Sequence, residues 1–279
     1  MKKSILLWLI AFVLTVLTAV YQRMTGPTYP ISGEVEIGNE IINYKLDRSH
    51  GGEGDHQIDV EIKEENINGF LIWKRYKTND EWASVEMNNE SGKLIASLPH
   101  QPPAGKLIYH ILLQRDDETV TLPASGEVII RFKGDVPIYF LIPHIIFIFG
   151  AMLLSTRTGL EYFDEGKKFK LLTISTFIFV IIGGFIFGPI VQKHAFGEFW
   201  TGFPFGHDLT DNKILVGFIG WLVALIALYK FKNPKRWIVF ASILMFVIFL
   251  IPHSVLGSEL DYNELDSKSN IENQNKVTE

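Results

Sequence analysis

Six side chains in the second half of the sequence are of types that do chemistry: His144, His194, His207, His253, Asp208 and Asp211. Neutral imidazole is the commonest metal ligand in proteins, and four imidazoles at one level of a helix bundle would suit Zn, Cu or a bis-histidine haem. Asp208 and Asp211, within "HDLTDNK", would serve as further ligands or as an acid/base pair. Each group also has a plainer use. A histidine inside a membrane span can donate a hydrogen bond to a neighbouring helix. An aspartate just before an apolar run caps a helix and complements its dipole. No spacing here reproduces a ligand motif such as H-E-x-x-H, so the plainer uses are favoured.

Both "IPH" triplets, 142–144 and 251–253, place proline directly before histidine. A proline inside a span frees a carbonyl one turn back, at Tyr139 and at Ile248, and gives His144 and His253 something to donate to. The same kinks could instead shape a pocket. The glycine- and aromatic-rich stretch around His194 and His207 contains Phe196, Phe199, Trp200, Phe203 and Phe205, the composition of an outer aromatic belt.

The elements that would position these groups are apolar. An uncharged run from Ile5 to Val20 follows a basic start; it is longer than a signal-peptide core and lacks an A-x-A cleavage pattern, so it reads as an uncleaved anchor. Runs at 136–155, 171–191, 214–229 and 237–257 contain no Asp, Glu, Lys or Arg and approach the ~20 residues needed to cross the hydrocarbon core. The 214–229 run does so only by recruiting its polar flank. Five spans are predicted. Without intramembrane carboxylates or basic groups, a proton relay or coupled pump is disfavoured.

Lys2 and Lys3, the cluster from Arg157 to Lys170, and the cluster from Lys230 to Arg236 fall on one side, which the positive-inside rule makes cytoplasmic. The predicted organisation is an anchor at 1–21, an extracytoplasmic β-sandwich at 22–135, a four-helix transmembrane domain at 136–257, and an acidic, disordered extracytoplasmic tail at 258–279. Residues 31–133 carry nine strand segments, several of them alternating apolar with polar, separated by turn formers such as "SHGGEGD" and "NNESGK", which argues for a sandwich with Trp73 packed in its core. The absence of cysteine excludes disulfides, thiolate metal sites and c-type haem attachment. No P-loop, dinucleotide fingerprint, nucleophile elbow or basic stripe is present, which excludes nucleotide and nucleic-acid partners.

The segments "EVIIRFKGDVPIYFLIPHIIFIFGAMLLSTRTGLEYF" and "FWTGFPFGHDLTDNK" resemble an uncharacterised bacterial membrane-protein family. That resemblance implies an anchor, an extracytoplasmic Ig- or fibronectin type III-like sandwich and a four-helix membrane domain, and it brings no activity. The expectation is a multi-pass protein of the bacterial cytoplasmic membrane with its N-terminus inside. It would be a non-enzymatic binding or scaffold protein that engages an envelope partner through the sandwich. The alternative is a metal- or haem-binding redox protein or hydrolase built on the six residues above.

Overall fold

The structure, a computed structural model, describes residues 2–164 and 166–277. The chain forms two compact units. The first combines the N-terminal segment through Pro27 with Val136–Ser258, and the second combines Thr28–Asp135 with the chain from Glu259 onward.

Among the described residues the second unit holds eleven strands: β1 (Ile31–Ile37), β2 (Glu40–Leu46), β3 (Ser49–Gly51), β4 (His56–Glu61), β5 (Asn68–Arg75), β6 (Ala83–Glu86), β7 (Asn88–Asn89), β8 (Lys93–Leu98), β9 (Lys106–Arg115), β10 (Glu118–Leu122) and β11 (Val128–Lys133). All nine predicted segments are strands. The additions, β3 and β7, are too short to show a period. β1 and β2 pair alone, β4, β8 and β7 form a second sheet, and β3, β11, β9, β5 and β6 lie in that order in the largest, where β10 also pairs with β9. All three sheets contribute to one apolar core, an arrangement that fits a β-sandwich. Period-two alternation is clearest in β9, whose Leu107, Tyr109, Ile111 and Leu113 are completely buried. Burying each such side chain contributes about 1.5–3 kcal/mol. Trp73 packs against this core, half-buried.

The expected disordered tail is instead α7 (Tyr262–Val277), and it belongs to the β-unit. Tyr262, buried, hydrogen-bonds from its hydroxyl to Gln101 Oε1 at 2.9 Å and to the Lys106 carbonyl at 3.1 Å. Leu260 N donates to the Ala104 carbonyl, and Glu259 pairs with Lys77 and Lys106.

The first unit is helical: α1 (Lys2–Thr25), α2 (Ile138–Leu160) with a 3-10 turn at Glu161–Asp164, α3 (Phe169–Val180) running through a π-helical segment (Ile181–Phe187) into α4 (Gly188–Phe196), then α5 (Leu209–Lys230) and α6 (Pro234–Leu250). Four of these helical stretches are long and apolar enough to cross a membrane: Lys2–Thr25, Ile138–Asp164, Phe169–Phe196 and Leu209–Lys230. The predicted fifth is shorter. α6 has 17 residues, because the chain leaves the helix at Ile251, just before Pro252.

α1 is no separate anchor domain. Its Leu7, Ala11, Thr15, Thr18 and Gln22 form one buried stripe at helical spacing, mostly small or polar residues that allow close helix approach. Gln22 Nε2 donates to the Phe249 carbonyl at the end of α6. Along the rest of α1, Ile5, Leu6, Leu9, Phe12, Val13, Val16 and Leu17 remain exposed.

Candidate functional site

Both predicted carboxylates lie where the loop after α4 enters α5. Asp208 caps α5, accepting from Thr210 N at 2.7 Å with Oδ1. Its other oxygen accepts from the backbone N of Ser258 at 2.7 Å and from the Ser258 hydroxyl at 2.9 Å. One turn into the helix, Asp211 Oδ2 accepts from Thr201 N at 2.7 Å, Gly202 N at 3.0 Å and Gln192 Nε2 at 2.9 Å. Asn212 Oδ1 takes the Phe203 amide at 2.7 Å. Both aspartates are buried, and a buried carboxylate must have its lone pairs met. Here donors from the loop, from α4 and from the segment after α6 reach Asp208 Oδ2 and Asp211 Oδ2, so the pair ties three pieces of chain to the start of α5.

The four histidines do not join this cluster as a set, although His253 lies within electrostatic reach of Asp208, Lys213 and His144. His144 Nδ1 lies 3.0 Å from the carbonyl of Gly183, in the π-helical segment, where a shifted hydrogen-bond pattern changes which carbonyls are available. The expected acceptor, one turn back at Tyr139, is therefore not the one His144 uses. The close approach also requires Gly183, since a Cβ there would come within 3.0 Å of Ile148 N. His194 stacks on Phe140, with ring centroids 5.7 Å apart, and is exposed, as are His207 and His253. Because α6 stops before Pro252, the Ile248 carbonyl receives Ile251 N at 3.2 Å and His253 lies beyond the helix. Among the described residues, no group of three or more His, Asp or Glu is placed to hold a metal ion.

The helices carry charges that the apolar runs alone did not include. α5 begins five residues before its predicted run, at Leu209, and so takes in Asp211 and Lys213. Buried Lys213 donates from Nζ to the Ile251 carbonyl at 2.8 Å, holding the end of α6. At the opposite end of the unit, α2 and its 3-10 turn continue past the predicted boundary to include a fully buried ion pair, Arg157 Nη1 to Glu161 Oε2 at 2.7 Å. Sequence reasoning missed both. Lysine and arginine were read as terminators of spans, and the only available signal was the i, i+4 spacing of Arg157 and Glu161.

The aromatic loop has a local scaffold of its own. Trp200 stacks on Phe185 with centroids 5.7 Å apart and donates from Nε1 to the Phe203 carbonyl at 3.1 Å. Phe199, Phe203 and Phe205 are left exposed. The whole arrangement positions chain segments and presents aromatic rings, and both oxygens of Asp208 and Oδ2 of Asp211 accept from protein donors. Compared with known protein families and with curated proteins, the chain finds no match in either.

Proposed function

We propose that this chain is an integral protein of the bacterial cytoplasmic membrane and acts as a non-enzymatic binding or scaffold protein of the envelope. Its β-unit, an Ig- or fibronectin-like sandwich, faces outward and engages another protein. Membrane insertion is supported by four long apolar helices whose surface is lined with exposed Ile, Leu, Val and Phe. The number of crossings is supported by the docked tail. α7 packs on the β-unit, so Asp135 and Glu259 lie on one side of the membrane and an even number of crossings separates them. Three of the long helical stretches lie in that interval, so α6 is the fourth crossing. Its 17 residues fall at the lower limit for a span.

The observation that carries the binding function is the outer edge of β6. Trp82, Ser84, Val85 and Glu86 are exposed, and among the described residues no strand pairs with that edge. Trp82, just before β6, is flanked by Lys74 Nζ at 5.2 Å from its ring and by His110. Natural proteins usually blunt such an edge with bulges, prolines or charge. An edge with backbone donors and acceptors available, next to an exposed aromatic, suits a partner that adds a strand.

A photo-crosslinking residue at position 84, introduced in cells of the source bacterium, tests this directly. One discrete adduct is expected, lost when Val85→Lys is added. No adduct from positions 82, 84 or 86 would defeat the reading. Orientation is checked by cysteine labelling in a chain with no native cysteine: an impermeant reagent should reach position 55 and not position 232.

A further inference from the structure

We propose that the β-unit contains a site for a single borderline divalent transition-metal ion such as Zn2+, Cu2+ or Ni2+, held by Nδ1 of His50 and Nδ1 of His56. These residues face each other across the turn that joins two sheets. His50 sits in β3, in register with Phe132 of the parallel strand β11. His56 opens β4, opposite Leu98. The turn between them depends on Gly52 and Gly54 at φ of +96° and +97°, values that side-chain-bearing residues adopt only under strain. Phe132 flanks the His50 ring edge-on, with centroids 5.4 Å apart.

The two Nδ1 atoms are 3.1 Å apart, and what lies on the far side of each ring decides what can sit between them. Nε2 of His50 lies 3.2 Å from the Gly54 carbonyl, an acceptor only, so that nitrogen carries the proton. Nε2 of His56 lies 4.0 Å from Asp47 Oδ2, beyond direct hydrogen-bond reach. The Gly54 carbonyl thus leaves an Nδ1 lone pair on His50, and with the His56 proton on Nε2, toward Asp47, both rings present an Nδ1 lone pair to the same gap. In that tautomer the two facing lone pairs suit a cation between them, whereas the other tautomer closes the gap with an Nδ1–H···Nδ1 hydrogen bond. With metal–nitrogen distances of ~2.0–2.1 Å, a 3.1 Å separation corresponds to a ligand angle of about 100°, between square-planar and tetrahedral. A carbonyl behind one imidazole and a carboxylate behind the other are the usual supports of a metal-bound histidine. Water would complete the coordination shell.

The test uses tag-free, full-length protein in detergent after treatment with a chelator. Cu2+ should bind at one equivalent, with an electron paramagnetic resonance spectrum split by two nitrogens, and Zn2+ should compete for the same site. His50→Ala removes a half-exposed ring and should abolish the two-nitrogen signal while leaving the melting curve unchanged; His56→Ala should do the same where it folds. Asp47→Asn should weaken binding by roughly 10–100-fold, whereas His194→Ala and His207→Ala, in the helical unit, should change nothing. Binding that survives His50→Ala, a spectrum split by one nitrogen or none, or no binding by folded wild type would each overturn the site.

Discussion

Arg75 and Asp266 meet in a paired contact across 191 residues of sequence: Nη1 and Nη2 of the guanidinium donate to Oδ1 and Oδ2 of the carboxylate at 2.9 and 2.8 Å. The same guanidinium also grips Asp80, through Nε at 2.6 Å and Nη2 at 3.0 Å, and lies 5.0 Å from the centre of the Tyr262 ring. Such fork-shaped contacts are specific in geometry, and this one places the C-terminal helix at one position on the β-unit.

The buried part of that attachment is Tyr262, so Tyr262→Ala should release the tail. Truncating a buried aromatic costs about 3–5 kcal/mol, and ~3 kcal/mol corresponds to about a hundredfold rise in the detached population. Limited proteolysis should remove the segment after Ser258 far faster from the variant than from wild type. Tyr262→Phe, which removes only the hydroxyl, should have a smaller effect, about 1 kcal/mol. Equal digestion of all three proteins would show that the tail is held by something else.

Acid should release the tail as well. Asp266 ionises below its ordinary value of 3.8 because Arg75 hydrogen-bonds to it. Burial opposes ionisation of Glu259, but hydrogen bonds from Lys106 and Lys77 outweigh it and bring that group below its ordinary 4.5. A carboxylate with a depressed folded pKa stabilises above its unfolded pKa, and the contribution is lost as pH falls through the folded value. The attachment should therefore be unchanged from neutral pH down to the ordinary carboxylate range and fail below it. A nitroxide on Ser267→Cys would report this as a line shape immobilised at pH 6 and mobile at pH 3. Mobility already at pH 6 would contradict the role given to the carboxylates.

In a buried position, Asp211 Oδ2 accepts from Thr201 N, Thr201 Oγ1, Gly202 N and Gln192 Nε2, so Asp211→Ala should strand two backbone amides and the Gln192 amide together. Unmet buried donors cost about 1–3 kcal/mol each, partly relieved by water entering a loop near the surface. A loss of about 3 kcal/mol in detergent melts is expected, with protease sensitivity confined to 197–208. Asp211→Asn, which keeps one acceptor, should lose about half as much. A wild-type melt from Asp211→Ala would return this carboxylate to consideration for chemistry.

What could be read in advance follows the range of the forces involved. Strands such as β4 and β9 are fixed by alternation along the sequence, and Asp208 by its place before an apolar run, because the causes are local. The ordered tail was illegible: "SELDYNELDSKS" has the composition of a solvated segment, and its order comes from Arg75, Gln101 and Lys106. His144 falls between these cases. Its position inside a long apolar run is evident, whereas its acceptor, Gly183, depends on a local change of helical pitch. His144→Gln preserves a donor and should cost about 0.6 kcal/mol, the average for a hydrogen bond between membrane helices. His144→Leu leaves the Gly183 carbonyl unmet and should cost more, as a detergent melt of the two variants would show.

Arg157 and Glu161 offer the sharpest separation between stability and pairing. The two side chains are 0% and 1% exposed, and their charged atoms approach to 2.7 Å, but off the line of a hydrogen bond, so the attraction is largely coulombic. Arg157 also reaches Asp164 at 3.7 Å, Ser4 Oγ at 3.3 Å and the face of Trp8, while Glu161 Oε1 accepts Lys168 N at 2.9 Å. Removing one member of a buried pair leaves an uncompensated charge and typically costs 3–5 kcal/mol, whereas replacing both with apolar groups of similar volume is often neutral. Arg157→Met and Glu161→Leu should therefore each destabilise by about 3–5 kcal/mol, and the double variant by less than either. Recovery should be incomplete, because Asp164 and the Lys168 amide lose partners in the double variant. Thermal melts of the four proteins in one detergent give the coupling. Simple additivity would mean that each charge is held by its other neighbours, and the ion pair would then have no part in joining α1, α2 and the 3-10 turn.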